Sequence, residues 1–250
     1  MEVFDDLSEK QVQDIHEIGF GGLLDCRISQ RMNSRLVSWL VKSFDIGSFM
    51  FTIGSGKEFV VTEADVHDVF LLPWVVGSDV VETEWVRNTK KETEKNKGQL
   101  LMIEWKRNFV VGATGNINLN KVRDEIKAER EGGEQFKRLF VLFIVSHVLA
   151  PTSNRTTSMN LVLALEDVGN IKKVNWCGYV LKKLGQAVER FKRNTENSFV
   201  GGCILLLQIL YFQRLMFKGV QISKEFEFRC NQTKGKRRNQ GWRIWERTSR

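Results

Sequence analysis

Two long apolar segments constrain the fold of this chain more than any other feature. Phe136–Leu149 and Phe199–Phe212 are apolar on almost every side of a helix, so each must lie in a lipid bilayer or in the core of a helical bundle. A bilayer span needs about 20 apolar residues. The first segment is shorter and is closed by Pro151, and the second runs into Arg214. We therefore predict two helices that are buried in a globular core, without membrane contact.

The rest of the chain follows a helical pattern with one exception. Val174–Arg193 has an apolar face and a face of lysines and arginines at helical spacing. Residues 49–62 instead contain two runs rich in Phe, Val and Ile around a glycine-containing turn, which predicts a β-hairpin. The predicted fold class is mainly α, with a single multi-helix domain over residues 1–217, one small hairpin near residues 49–62, and a basic tail over residues 218–250.

Capping signals predict several helix ends. Ser8–Gln11 has the residue types of a capping box, in which the side chains at the two ends each bond the other's backbone. Thr62–Asp65 has an N-cap residue followed by acids in the first helical turn. Gly19 is the residue type that commonly ends a helix in the left-handed conformation. We predict helices that begin at both caps and a helix end at Gly19.

The formal charge of +8 is concentrated in the tail. Residues 218–250 contain ten basic and three acidic residues, a net charge of +7, which leaves +1 for residues 1–217. Basic clusters serve nuclear import or neutralise phosphates, and Trp stacks on bases. We predict nuclear import or loose nucleic-acid contact by the tail, and a solvated tail without a partner is the open alternative. The candidate residues are Lys234, Lys236, Arg237, Arg238, Trp242, Arg243, Trp245 and Arg247.

Residues that carry metal or nucleophilic chemistry lie far apart in the sequence. They are His16, His67, His147, Cys26, Cys177, Cys203 and Cys230. Because a zinc site needs closely spaced ligands and a phosphate loop needs a specific glycine frame, we expect no metal, no cofactor and no catalytic residue. The acidic start of the chain lacks the pattern of a secretory signal, which predicts an intracellular protein with reduced thiols. The open alternative is a cysteine hydrolase or peptidase remnant that uses Cys177 or Cys203 with His147.

Three parts of the sequence resemble a known plant family. They are Ile18–Leu24 (IGFGGLL), Thr62–Pro73 (TEADVHDVFLLP), and the pair Asn175–Cys177 (NWC) and Gly202–Tyr211 (GCILLLQILY). Over residues 7–217 the chain resembles the aminotransferase-like plant mobile domain proteins and the N-terminal regions of transposon-encoded SUMO-protease-like proteins. The sequence departs from that pattern at Leu71, where the family commonly has glycine.

The resemblance implies a mainly helical, transposon-derived nuclear domain that acts in silencing or genome maintenance. It implies no aminotransferase chemistry, because no lysine has the context of a pyridoxal phosphate Schiff base. In the fusion proteins the protease is a separate C-terminal domain, so we expect no peptidase activity in a chain that ends at Arg250. We expect a non-catalytic interaction domain with an unidentified nuclear protein as partner, located in the nucleus or otherwise in the cytoplasm. A degenerate element product without selected function is a further alternative.

Overall fold

A computed structural model describes residues 4, 6–25, 34–53, 56–75, 92–110, 115–152, 156–157, 159–193 and 199–214. Helices account for 66% of this part of the chain, which confirms the predicted mainly α fold. The α-helices are α1 (Glu9–Glu17), α2 (Ser34–Lys42), α3 (Glu63–Phe70), α4 (Glu92–Phe109), α5 (Leu119–Ala128), α6 (Glu134–Ile144), α7 (Met159–Ala164), α8 (Trp176–Arg193) and α9 (Ile204–Arg214). Short 3₁₀ helices cover Gly21–Asp25 and Val168–Lys173.

The predicted hairpin is confirmed and is part of a slightly larger sheet. Strands β2 (Met50–Ile53) and β3 (Lys57–Val60) pair antiparallel, with Met50 opposite Val60 and Ile53 opposite Lys57. A two-residue strand, β1 (Phe44–Asp45), pairs with the other edge of β2. A second small sheet joins β4 (Ile117–Asn118) to β5 (Thr156–Thr157). The sequence pattern did not predict these two-residue strands, because they are too short to show an alternation.

The first apolar segment forms a buried helix as predicted, whereas the second, predicted over Phe199–Phe212, becomes helical only at Ile204, and Phe199 is 46% exposed. All residues of α6 from Phe136 onward are buried, and the helix continues as a π-helical turn over Val145–Leu149. It packs against α1, α5 and α7, while α9 packs against α2 and α3, and α3 packs against α8. Within the described residues, no helix combines the length and the apolar character that a bilayer span needs.

The buried helix α6 carries two charged side chains, and both have partners. The ammonium of Lys137 lies 3.2 Å from the carboxylate of Asp14 and 2.8 Å from that of Glu17. The guanidinium of Arg138 donates to the carbonyl oxygens of Leu165 and Glu166 at 3.0 and 2.9 Å. Because an unpaired buried charge is costly, these bonds make the charged residues compatible with the core.

The predicted helix ends are confirmed. Ser8 and Gln11 form a reciprocal capping box at the start of α1, and Thr62 and Asp65 form another at the start of α3. Gly19 lies just beyond α1 with a φ of 82°. That left-handed conformation is accessible to glycine without the steric cost that other residues incur. It turns the chain toward the first 3₁₀ helix, which positions one of the motif stretches described next.

Candidate functional site

Stretches that the sequence singled out as motifs come together in one place. Ile18–Leu24, Thr62–Pro73 and Asn175–Cys177 are separated by up to about 150 residues of chain, yet they pack directly against one another, and we call this region the motif junction. The rings of Phe20 and Trp176 meet edge to face with their centroids 5.4 Å apart. The backbone N–H of Trp176 donates to the carbonyl oxygen of Pro73 at 3.2 Å. The junction therefore joins the start of α8 to the turn that follows α3.

The glycines of the first stretch allow this close approach. A Cβ atom on Gly22 would lie 2.5 Å from the Cβ of Leu71 and 2.6 Å from the carbonyl oxygen of Phe70. A Cβ atom on Gly19 would lie 2.8 Å from the Cγ of Pro73. All three distances are far below van der Waals contact, so a side chain at either position would push the two stretches apart.

Leu71 ends α3 in the left-handed conformation, with a φ of 51° and a ψ of 36°. This conformation costs about 1–2 kcal/mol for a residue with a Cβ atom, and glycine avoids that cost. Glycine would therefore suit position 71 better than leucine does. The Leu71 side chain covers Gly22, and this contact offsets part of the backbone strain.

The carboxylate of Glu63 and the side-chain amide of Asn175 connect α3, α8 and Trp74 at the edge of the junction. Glu63 accepts hydrogen bonds from the indole N–H of Trp74 and from the side-chain amide of Asn175, each at 2.9 Å. The side-chain oxygen of Asn175 accepts from the backbone N–H of Gly178 at 2.9 Å, which caps the start of α8. Glu63 thus fixes the position of Trp74 relative to both α3 and α8.

Two side chains of the junction, the imidazole of His67 and the candidate nucleophile Cys177, bond to the backbone of the turn at Pro73. Nδ1 of His67 lies 2.7 Å from the carbonyl oxygen of Leu72. Sγ of Cys177 donates to the carbonyl oxygens of Leu72 and Pro73, each at 3.7 Å. Burial, with a smaller contribution from nearby carboxylates, raises the pKa of Cys177 to about 12. At neutral pH this thiol is therefore a protonated donor rather than a thiolate nucleophile.

The second cysteine of the hydrolase hypothesis is buried as well. Cys203 lies at the start of α9 and is 1% exposed. His147 lies in the π-helical turn, where its ring stacks on Phe143 with the centroids 4.0 Å apart. Its Nδ1 is 3.0 Å from the carbonyl oxygen of Phe143. Neither of the cysteines that the structure describes presents its thiol to solvent, whereas a cysteine hydrolase needs an accessible thiol beside its base.

Part of the junction is open to solvent. Trp74 is 38% exposed and Val75 is 37% exposed, directly after the turn at Pro73. The ring of Trp74 lies 5.9 Å from that of His67, and its N–H is held by Glu63. An apolar, oriented surface pair of this kind suits contact with another macromolecule, because its burial is favourable and little side-chain freedom remains to be lost.

The end of α9 is fastened beside the junction. Arg214 lies 2.6 Å from the carboxylate of Asp65, and its guanidinium stacks 3.9 Å above the ring of Phe59. Burial opposes ionisation of Asp65, but the bonds from Arg214 and Thr62 outweigh it and hold the pKa of this carboxyl below its ordinary value. The ion pair connects α9 to α3, and the ring contact connects α9 to β3. Arg214 therefore helps to fix α3, which precedes the turn that carries Trp74.

A shallow cavity of about 470 Å³ lies on another face, beside β1 and β2. Its lining residues are Trp39, Lys42, Ser43, Phe44, Asp45, Thr52 and Lys192. Lys192 donates to the carbonyl oxygen of Phe44 at 2.6 Å, and Asp45 accepts from the hydroxyl and the N–H of Ser48. These polar groups are used within the protein, and the cavity holds no cluster typical of a catalytic or metal centre.

Metal-ligating groups do not converge in the described residues, where no three His, Cys, Asp or Glu side chains could share an ion. The basic and aromatic residues predicted to direct nuclear import or contact nucleic acid lie outside the described residues. They are Lys234, Lys236, Arg237, Arg238, Trp242, Arg243, Trp245 and Arg247. Their role stays a prediction.

Sequence reasoning interpreted Glu63 only as a helix N-terminal charge and did not single out Trp74 or the amide of Asn175. Two signals were available for them. Trp74 follows a proline that ends a helix, and Asn175 is a favourable N-cap residue directly before a helical pattern. What the sequence could not show is that Glu63 joins these two residues across 112 positions of chain.

The junction and most of the fold lie within a known family model. The model of a domain of unknown function, DUF8566, matches residues 1–208. This chain belongs to the DUF8566 family. No curated protein and no solved structure matches the sequence. All parts of the motif junction, from Ile18 to Cys177, fall inside the DUF8566 match.

Proposed function

We propose that this DUF8566 domain is a non-catalytic protein-interaction domain whose contact surface is the exposed edge of the motif junction, formed by Trp74 and Val75. The observation that carries the proposal is that the reactive side chains of the junction form hydrogen bonds within the protein. Cys177 and His67 bond the backbone of the turn, and Glu63 bonds Trp74 and Asn175. The bonds from Cys177 and His67 hold the turn at Pro73, and the bond from Glu63 holds the ring of Trp74 at the surface.

The geometry of Trp74 suits a protein partner. Tryptophan is enriched among the residues that dominate binding energy in protein interfaces. Here its indole N–H is already bonded to Glu63 at 2.9 Å, so a partner can cover the ring without leaving a buried donor unpaired. Val75 extends the apolar area next to it. The partner surface that fits is an apolar pocket or groove with a polar rim.

The cellular setting of the proposal comes from the resemblance to plant mobile domain proteins. We propose that the domain is transposon-derived and acts in the nucleus, in silencing or genome maintenance, by recruiting another protein. The basic cluster around Lys236 would assist import and make loose contacts with nucleic acid. The burial of Cys177 and its raised pKa support a non-catalytic role over the cysteine hydrolase alternative.

Site-specific photo-crosslinking tests the contact surface. A photoreactive amino acid replaces Val75 in one full-length protein and Val60, which is 52% exposed on β3, in the matched control. Both are irradiated in nuclear extract, with and without the substitution Trp74→Ala. We expect one discrete protein adduct from position 75 that Trp74→Ala abolishes, and no such adduct from position 60. Identical adduct patterns from both positions, or an adduct indifferent to Trp74→Ala, would contradict the proposed surface.

A thiol-reactive probe tests the non-catalytic part of the proposal. An electrophilic hydrolase probe is incubated with the folded protein and with the protein in denaturant, and the labelled cysteines are identified by mass spectrometry. We expect Cys177 and Cys203 to react only after unfolding, because both are buried. Fast labelling of either in the folded protein at neutral pH would favour the hydrolase alternative.

A further inference from the structure

The outer face of α8 gathers positive charge. At 100° per residue, Lys182, Lys183, Arg190 and Arg193 fall within an arc of about 100° on this helix. They extend over about 16 Å along the helix axis, at 1.5 Å per residue. The opposite side, with Val180, Leu184 and Val188, is buried in the core. We call these four cations the α8 basic face.

Few negative charges balance the α8 basic face from within the helix. Its single acid, Glu189, pairs with Arg193 at 2.5 Å. Burial lowers the pKa of Lys183, and the positive charges of Lys182 and Arg190 lower it further. The lowered pKa of Lys183 indicates that Lys182, Lys183 and Arg190 share one region of positive potential. The Nζ atom of Lys183 also lies 5.4 Å from the centroid of the Tyr179 ring, a cation–π contact on the same helix.

The near-neutral net charge of residues 1–217 hides this concentration, because α8 has five basic residues and one acid, a net charge of +4, while the other residues of this range sum to −3. Lys10 pairs with Glu131, and Arg130 pairs with Asp6, on the side of the molecule formed by α1 and the segment after α5. A sum over the chain therefore shows balance, while the folded surface has a local excess of cations on α8.

The composition of the face favours nucleic acid over a protein partner. Specific protein interfaces have a desolvated apolar centre inside a polar rim. Between Lys182 and Arg193 the outward positions of α8 are occupied by charged residues and Gln186, so such a centre is lacking on this arc. Phosphate contacts need only positioned positive charge, and a row of phosphates supplies the complementary pattern.

We infer that the α8 basic face contacts the phosphate backbone of nucleic acid. This inference is independent of the proposed protein contact, since it concerns different residues on a different face. It also differs from the predicted contact by the tail, since it places a charge-dependent contact on the folded domain. Contacts of this kind are insensitive to base sequence and weaken as the salt concentration rises, because the counterions that binding releases then gain less entropy.

Salt-dependent binding of fluorescent duplex DNA to the full chain tests the inference. The test variant is Lys182→Gln with Lys183→Gln and Arg190→Gln. The matched control removes the same charge from exposed lysines elsewhere, by Lys57→Gln with Lys106→Gln and Lys127→Gln. Each phosphate contact contributes about 0.9 to the slope of log K against log salt, so three lost contacts lower the slope by about 2.7. Between 50 and 200 mM salt, the wild type then loses about 40-fold more affinity than the test variant does.

Further variants separate this contact from the tail and from a folding defect. The substitutions Lys234→Gln, Lys236→Gln, Arg237→Gln and Arg238→Gln are made alone and together with the test variant. We expect the test variant to lower the slope in both backgrounds. The charge-retaining variant Lys182→Arg with Lys183→Arg and Arg190→Lys should keep the wild-type slope, and a circular dichroism spectrum of the test variant equal to that of the wild type excludes a loss of folding as the cause.

Several results would overturn the inference. They are a slope in the test variant equal to that of the matched control, a slope that only the tail substitutions change, or no binding by the wild type at 50 mM salt. Polyglutamate of equal total charge is the competitor that probes the alternative partner. If it displaces the DNA as well as unlabelled duplex does, the face is a general site for acidic polypeptides and the assignment to nucleic acid is wrong.

Discussion

Replacing Gly22 by alanine tests the packing of the motif junction most directly. The added Cβ atom would lie 2.5 Å from the Cβ of Leu71 and 2.6 Å from the carbonyl oxygen of Phe70. Ordinary contact between such atoms begins about 1 Å farther apart, so the backbone around the turn has to move. Overpacking of this kind costs typically 1–3 kcal/mol. We expect Gly22→Ala to lower the free energy of unfolding by about 2 kcal/mol, which for a chain of this size lowers Tm by about 4–8 °C.

The measurement is thermal and urea unfolding of the full chain, followed by circular dichroism. Gly47→Ala is the matched control, because the nearest heavy atom to its added Cβ lies 3.6 Å away, in the Asp45 side chain. Leu71→Gly completes a double-mutant cycle. It relieves the left-handed strain at this position and removes the side chain that Gly22→Ala strikes, so by itself it should change stability by less than about 1 kcal/mol.

The combined variant carries the diagnostic result. If the clash with Leu71 is the cause, the loss in Gly22→Ala with Leu71→Gly is smaller than the sum of the two single losses by at least about 0.5 kcal/mol. The remaining loss reflects the approach to the Phe70 carbonyl. Equal Tm values for Gly22→Ala and Gly47→Ala, or strict additivity in the cycle, would refute the close approach of the two stretches.

Two further predictions concern buried ionisable groups. Lys137→Ala removes a buried cation from Asp14 and from the more exposed Glu17 and should cost about 1–3 kcal/mol, whereas Lys10→Ala breaks a fully exposed pair and should lower the urea midpoint much less; equal urea midpoints would show that the Lys137 pairs are not buried. The pKa of Cys177 is raised in the folded state from 9.0 to about 12, so the folded protein disfavours the thiolate. Stability from this group is constant below pH 9 and falls as the pH rises toward 12, and Cys177→Ala should reduce the fall in urea midpoint between pH 8 and pH 10.5; an unchanged fall would indicate an accessible thiol.

Most of the local structure could be predicted from residue pattern alone. The capping boxes at Ser8 and Thr62, the helix end at Gly19 and the hairpin near residues 49–62 depend on neighbours within a few positions, so their signals are continuous in the sequence. The same holds for the fold class, because apolar segments that are too short to span a bilayer have to be buried in a helical core. The short strands β4 and β5 were missed because each needs a distant partner to exist.

The candidate site was predictable only in pieces. The stretches around Gly22, Leu72 and Trp176 were recognisable as motifs, but their spacing in sequence carries no information on whether they meet. The role of Glu63 illustrates the limit. As a residue in the first turn of a helix it needs no further explanation, and only the position of Asn175 next to it shows that it joins two helices and holds Trp74.

The charge distribution shows the same division between sequence and fold. Counting along the chain determined that the tail is basic and that residues 1–217 are near neutral. The helical repeat of Val174–Arg193 also determined that its cations share a face. Only the tertiary structure decided that Arg190 and Arg193 on this face are exposed while Lys182 and Lys183 are half-buried, and that Lys10 and Arg130 are paired with acids, because burial and pairing depend on which elements pack together. Periodicity and capping act over a few residues and are written in the sequence, whereas burial, pairing and the assembly of the motif junction depend on contacts between residues more than 100 positions apart.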